Sequence, residues 1–275
     1  MNETMSMEDS FYLKDKTQEF LSFLFPGVDI IASPPKTSYR TNAIRVKNIV
    51  LFAQMSKGKT ELVRKLAEEA ISFYGEKNVH AVHSEEGDLE AVMESVVSND
   101  KLVQLAFIDN FTLKEVPKSL ISKYFNIRGN WMNNTGRNYG YIVSIFGLHR
   151  FESTYPEFKS NFDGAIVKSA PGFSRYDKSV VRSFIGDKGL HDLLIIEEKR
   201  DQDPEYMSYS VFGIYGGLKT GLLKLDMASK NYLESVVRTT YSNEYNDQEE
   251  MLLKYPYLDR ALVSALLGRT IKRLR

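Results

Sequence analysis

LFAQMSKGKTELVRKLAEEA, residues 51–70, decides how this chain is read. Its first residues close the apolar run NIVLFA (48–53). Its later part continues into ELVRKLAEEAISF, which sets Leu62, Leu66, Ala70 and Phe73 near one face of a helix. Between the two lies Gly-Lys-Thr, residues 58–60. A strand that turns into a helix through a glycine leaves the first N–H groups of that helix unpaired, and the helix dipole makes the same point favourable to anions. The junction suits a phosphate.

Outward from it, strand-like runs alternate with helical patterns. Strands are expected at 48–53, NVHAVHS (78–84), LVQLAFID (102–109), YGYIVSIFG (139–147) and GAIVKSA (164–170), with helices over 59–74, 88–98, 117–127 and 155–162. This alternation predicts βαβ units and an α/β fold, a mainly parallel sheet sandwiched by helices. Upstream, TQEFLSFLFPGVDII (17–31) reads as a short amphipathic helix stopped by Pro26 and Gly27. Downstream, DKSVVRSFIGDKGLHDLLIIEEKR (177–200) reads as helix broken near GDKG. YMSYSVFGIYGGLKTGLLKLD (206–226) alternates about Gly216 and Gly217 as a β-hairpin does, and 229–275 is helical in pattern. The expected organisation is an N-terminal helix and linker (1–43), a core ending in a β-hairpin (44–226) and a helical tail (227–275).

The run Ala53-Gln54-Met55-Ser56-Lys57-Gly58-Lys59-Thr60 resembles the P-loop or Walker A pattern GxxxxGK[ST], with alanine at the first glycine. The resemblance implies ATP and Mg²⁺ as ligands. Ala53, Gln54, Ser56, Lys57, Gly58, Lys59 and Thr60 would surround the phosphates, with Lys59 on the β and γ oxygens and the Thr60 hydroxyl on Mg²⁺. KLVQLAFIDNF (101–111) resembles the Walker B strand, which implies that Asp109 holds a Mg²⁺-bound water.

Many P-loop ATPases follow that aspartate with a glutamate that polarises the attacking water, but here Asn110 follows, and an amide accepts no proton. The segment NVHAVHSEEGDLEAVMESV (78–96) resembles the RecA and DnaB branch, whose catalytic glutamate ends the strand after the Walker A helix. That implies Glu86, or else Glu85, as base. The alternative is that two acids beside Gly87 favour the start of the next helix. YIVSIFGLHRFE (141–152) resembles the segment after Walker B in the FtsK, HerA and viral packaging ATPases, where a strand ends in Thr-Gln-Arg. Here Leu148 and His149 replace the first two residues, which implies His149 and Arg150 as phosphate sensors; a solvated strand end is the alternative. The whole resembles the additional-strand (ASCE) P-loop NTPases over about residues 44–226, with a RecA-like glutamate and a HerA-like sensor. No Asn/Thr-Lys-x-Asp guanine-reading motif is present.

Composition limits the function. The 36 acidic residues balance the 36 basic ones, so any nucleic-acid surface must be local. There is no cysteine, which excludes thiolate nucleophiles and cysteine-held metals. The N-terminus lacks an apolar core, and the longest apolar runs fall far short of the roughly 20 residues needed to cross a bilayer. A cytoplasmic protein without a membrane span is expected. Two classes of function follow: an oligomeric ATPase motor acting on DNA, or a slow ATP-dependent switch or loader acting on a protein partner. For DNA, the polar loop RGNWMNNTGRN (128–138) would offer Arg128, Trp131 and Arg137, and GRTIKRLR (268–275) a basic tail.

Overall fold

The strand that feeds the Gly-Lys-Thr junction is β1 (Ala43–Phe52), which begins well before its apolar run. Ile49 to Ala53 are wholly buried. A strand covered by helices on both faces reads as a continuous apolar run, and β1 lies inside a seven-stranded sheet. The computed structural model describes residues 13–32, 43–53, 58–84, 87–111, 116–149, 160–169, 175–200, 202–214 and 219–225. Around β1 the sheet contains β2 (Val79–Ser84), β3 (Val103–Ile108), β4 (Tyr139–Leu148), β5 (Gly164–Val167), β6 (Tyr209–Ile214) and β7 (Lys219–Lys224), in the order β2-β3-β4-β1-β5-β6-β7. The first five strands in this order pair in parallel. The expected hairpin, β6 with β7, then extends the sheet antiparallel from β5.

Side chains alternate across β1, so its two faces feed two cores. Ile49 and Leu51 pack with α1 (Thr17–Leu24), α2 (Val28–Ala32) and α3 (Lys59–Tyr74), through Phe20, Leu24, Ile31, Leu62, Leu66 and Ala70. Phe73 departs from expectation and is 56% exposed. Leu62, Leu66, Ala70 and Tyr74 form the i, i+4 series, and Phe73 lies a hundred degrees around the helix from Tyr74. The Tyr74 hydroxyl instead donates to the Pro26 carbonyl at 2.7 Å, tying α3 to the turn that ends α1. Val50 and Phe52 point the other way, into a core shared with α4 (Leu89–Ser98), α5 (Lys118–Phe125), α6 (Ile127–Thr135) and α7 (Arg175–Arg200). The expected break in α7 falls at Gly186, whose φ of 72° leaves the helical region.

One expectation is overturned. The segment read as a polar loop with an exposed aromatic is mostly α6, and Trp131 is wholly buried. Ile127 and Trp131, four residues apart, bury one face of this helix, and Gly136 at φ 70° ends it. The asparagines and glycine that suggested a loop occupy its outer side. The indole Nε1 donates to the Asn99 carbonyl at 2.6 Å. The ring lies where a Cβ on Gly140 would collide with it. Trp131 therefore supplies no stacking surface. Residues 155–159 of the short expected helix, the turn at Gly216 and Gly217, and the tail 227–275 with GRTIKRLR lie outside the described residues. No described helix is long and apolar enough to cross a membrane.

Candidate phosphate site

Parallel strands bring their C-terminal ends to one edge of the sheet, where residues far apart in sequence meet. Gly58 caps α3 in the left-handed region, at φ 76°, which glycine adopts without steric cost. Lys59, the first helical residue, is 6% exposed. Its Nζ lies 2.8 Å from Oδ1 of Asp109, the residue that follows β3. Since β4 separates β1 from β3, this pair reaches across an intervening strand. Gly147 near the end of β4 makes room for it: a Cβ there would lie 2.5 Å from Asp109 Oδ1 and 3.2 Å from its Cα. Two backbone bonds fix the Asp109 turn, Asp109 N to Ser84 O at 2.8 Å and Phe111 N to Gly147 O at 3.0 Å.

Burial pushes the Asp109 carboxyl upward, but the hydrogen bond and charge of Lys59, with the Asn110 amide at 2.8 Å, outweigh it and hold the group below its usual value. Asp109 is therefore a carboxylate. Desolvating two charges costs about as much as their attraction returns, so such a pair is a poor source of stability. It is better suited to exchanging partners.

His149, the residue after β4, closes the cluster. Its Nδ1 lies 3.1 Å from the Ala53 carbonyl, an acceptor, so this nitrogen donates. Nε2 then accepts from Lys59 Nζ at 3.1 Å. The Asn110 carboxamide reaches the same nitrogen at 2.7 Å, its oxygen and NH₂ interchangeable by a half-turn of the amide. Burial lowers the His149 pKa and the Lys59 charge lowers it further, so the ring is neutral. Asn110 itself has φ 52° and is the one non-glycine at positive φ among the described residues. Asparagine is among the few side chains that tolerate this region.

From the other side of β1 comes Lys168, which sequence reasoning missed. It follows β5, its backbone N–H donates to Phe52 O at 2.7 Å, and its Cε lies 3.1 Å from the position of a Cβ on Gly58. Its Nζ donates to Met207 O at 2.6 Å. Burial and the Arg200 guanidinium together lower its pKa to about 7, against an opposing contribution from Glu61. Arg200 is buried as well and donates to the carbonyls of Lys168, Tyr206 and Tyr209. The available signal was a lysine following the all-apolar GAIV at the same sheet edge.

The expected residues thus divide. Ala53, Gly58, Lys59, Asp109 and His149 are gathered at one edge, and Thr60 is the second residue of α3. Gln54, Ser56, Lys57, Glu85, Glu86 and Arg150 lie outside the described residues. Asp88 is the N-cap of α4, its Oδ1 accepting from Ala91 N at 3.0 Å. No cluster of three or more His, Asp or Glu side chains fit to hold a metal occurs among the described residues. A hydroxyl and one carboxylate are what Mg²⁺ needs when it keeps several waters and takes its remaining ligands from phosphates. Thr60 and Asp109 fit that requirement.

With the strand that leads to Gly-Lys-Thr flanked by β4 and β5, and the strand that ends at Asp109 beyond β4, the chain has an α/β fold whose mainly parallel sheet lies between helices. No protein-family model and no curated protein matches it. Among solved structures it is similar to the genome packaging NTPase B204 from Sulfolobus turreted icosahedral virus 2 in complex with ATP-gammaS. The two are 10% identical, the match covers 65% of this chain and 97% of that one, and the TM-score is 0.40. It is also similar to the pCW3 conjugation coupling protein TcpA with ATPgS, at 11% identity, 70% and 62% coverage and a TM-score of 0.40. A third likeness is to a chain of the HORMA:CdnC:Trip13 complex of E. coli MS115-1, at 13% identity, 83% and 72% coverage and a TM-score of 0.31. Likeness at this level decides nothing about activity.

Proposed function

We propose that the protein binds ATP with Mg²⁺ and hydrolyses it. The observation that carries this reading is the Lys59–Asp109 pair, which joins the Gly-Lys-Thr junction to the strand-end acid across β4. Phosphate oxygens and Mg²⁺ would take over the two partners, Lys59 moving to the phosphates and Asp109 to a metal-bound water, with Thr60 on the metal. Glu86, with Glu85 second, is the proposed base, since Asn110 cannot take a proton. His149, already on Lys59 and neutral, would read the γ-phosphate, and Arg150 would join it.

The activity is proposed to drive an oligomeric motor that handles DNA. A second reading has one observation in its favour: Asn110 follows Asp109 and contacts His149, an arrangement suited to slow hydrolysis in a protein-binding switch. Steady-state ATP turnover by wild type and Lys59→Ala, with and without single- and double-stranded DNA, separates them. Turnover that needs Lys59 and rises with DNA supports the motor, and turnover indifferent to DNA supports the switch. Turnover retained in Lys59→Ala overturns the site itself.

A further inference from the structure

A cavity of about 890 Å³ lies at the opposite end of the sheet, between the first half of β1, the corner joining α5 to α6, and the chain leaving α1. Among the described residues its wall contains three cations, Arg45, Lys47 and Arg128, together with five asparagines and no carboxylate. In a chain whose charges balance overall, this is a local excess of positive charge and amide donors. Arg45 Nε is buried with no hydrogen-bond partner among the described residues. A buried charged donor left unpaired is costly, so this guanidinium is not fully satisfied by the protein. Lys47 is held 3.5 Å over the Phe23 ring, and burial lowers its pKa against the raising effect of Asp163. Asp163 lies off the cavity wall and accepts the Asn48 backbone N–H at 2.8 Å.

We propose that this cavity binds a phosphate-bearing ligand, gripped by Arg45, Lys47 and Arg128, with asparagine amides such as Asn130 and Asn133 donating to its polar edges. Its volume falls in the range of pockets for small molecules and admits a portion about the size of a nucleotide. It is independent of the ATP reading, because Lys47 and Ala53 are six residues apart on one extended strand, roughly 20 Å. The same chemistry is offered by a free phosphorylated compound and by a phosphodiester strand.

The experiment uses the full chain carrying Lys59→Ala, which removes the lysine of the other site. Fluorescence anisotropy follows a labelled single-stranded oligonucleotide and, separately, a fluorescent adenosine nucleotide, each over a series of salt concentrations. At least one probe should bind, and Arg45→Gln or Arg128→Gln should weaken it about tenfold. For the oligonucleotide, each lost contact should flatten the log-log salt slope by about 0.7. Binding of the oligonucleotide alone assigns the cavity to a strand, and binding of the mononucleotide alone assigns it to a small ligand. Unchanged Trp131 fluorescence shows that a variant is folded. Failure of both probes to bind, binding unaffected in both folded variants, or equal competition by polyglutamate would overturn the proposal.

Discussion

Lys59, Asp109 and His149 form a chain of contacts whose spacing depends on a residue with no side chain. Gly147 lets the Asp109 carboxylate lie against β4, and Gly147→Ala would set a Cβ 2.5 Å from its oxygen. The carboxylate must then shift, so we expect a stability loss of about 1–3 kcal/mol by urea denaturation, together with a fall in ATP turnover. Turnover at the wild-type level would show that Asp109 needs no such fit. Lys168 gives a second prediction. Its folded pKa of about 7 lies below that of a free lysine, so between roughly pH 7 and 10 the unfolded chain binds more protons than the folded one. Stability attributable to this residue should therefore rise with pH in that window, by at most about 1.4 kcal/mol per pH unit, and be flat below it. Urea denaturation of wild type and Lys168→Met should give curves of stability against pH that diverge in favour of wild type as pH rises. Parallel curves would mean that the lysine is not held in this way. Lys59, Asp109 and His149 could be picked out in the sequence because Lys59 lies in the Gly-Lys-Thr junction and the other two follow apolar strands. Lys168 could not, since its burial depends on Met207 and Arg200, which only the hairpin region brings near.

At the scale of elements, the parallel strands were legible because each carries a buried stretch rich in apolar residues, broken only by single polar ones such as Gln104 and Ser144 in β3 and β4. The hairpin was legible from its alternation. The α6 helix was not, because Ile127 and Trp131 are too few to mark a period amid asparagines and glycine, and its packing on Asn99 and Gly140 is long-range. This separates structure from binding within one segment. Trp131→Ala should cost about 3–5 kcal/mol by leaving a cavity beneath α6, read by thermal or urea unfolding. Arg128→Gln, a few residues away on the same helix, should leave stability within about 0.5 kcal/mol, since the half-buried Arg128 has a surface position without a described structural role. A large stability loss in Arg128→Gln would assign it a packing role. Trp131 is the only tryptophan, so its fluorescence reports the state of this element directly.

At the scale of the molecule, both cores lie against one sheet, and β1 contributes side chains to each. Neither face can lose its helices without exposing the strands that the other face also covers, so loss of one core undermines the other. The candidate phosphate site draws on this shared strand: Ala53 follows β1, and Lys59 opens the helix whose inner face fills one of the two cores. A ligand bound there stabilises the folded state as a whole by mass action. At a hundredfold excess over its dissociation constant, Mg²⁺-ATP should add about 2.7 kcal/mol, which for a domain of this size raises the melting temperature by a few degrees. Differential scanning fluorimetry should show this shift for wild type, and a smaller one both without Mg²⁺ and in Lys59→Ala. An equal shift in Lys59→Ala would place the stabilising nucleotide elsewhere, and the cation-lined cavity at the far end of β1 would be the site to test with Arg45→Gln.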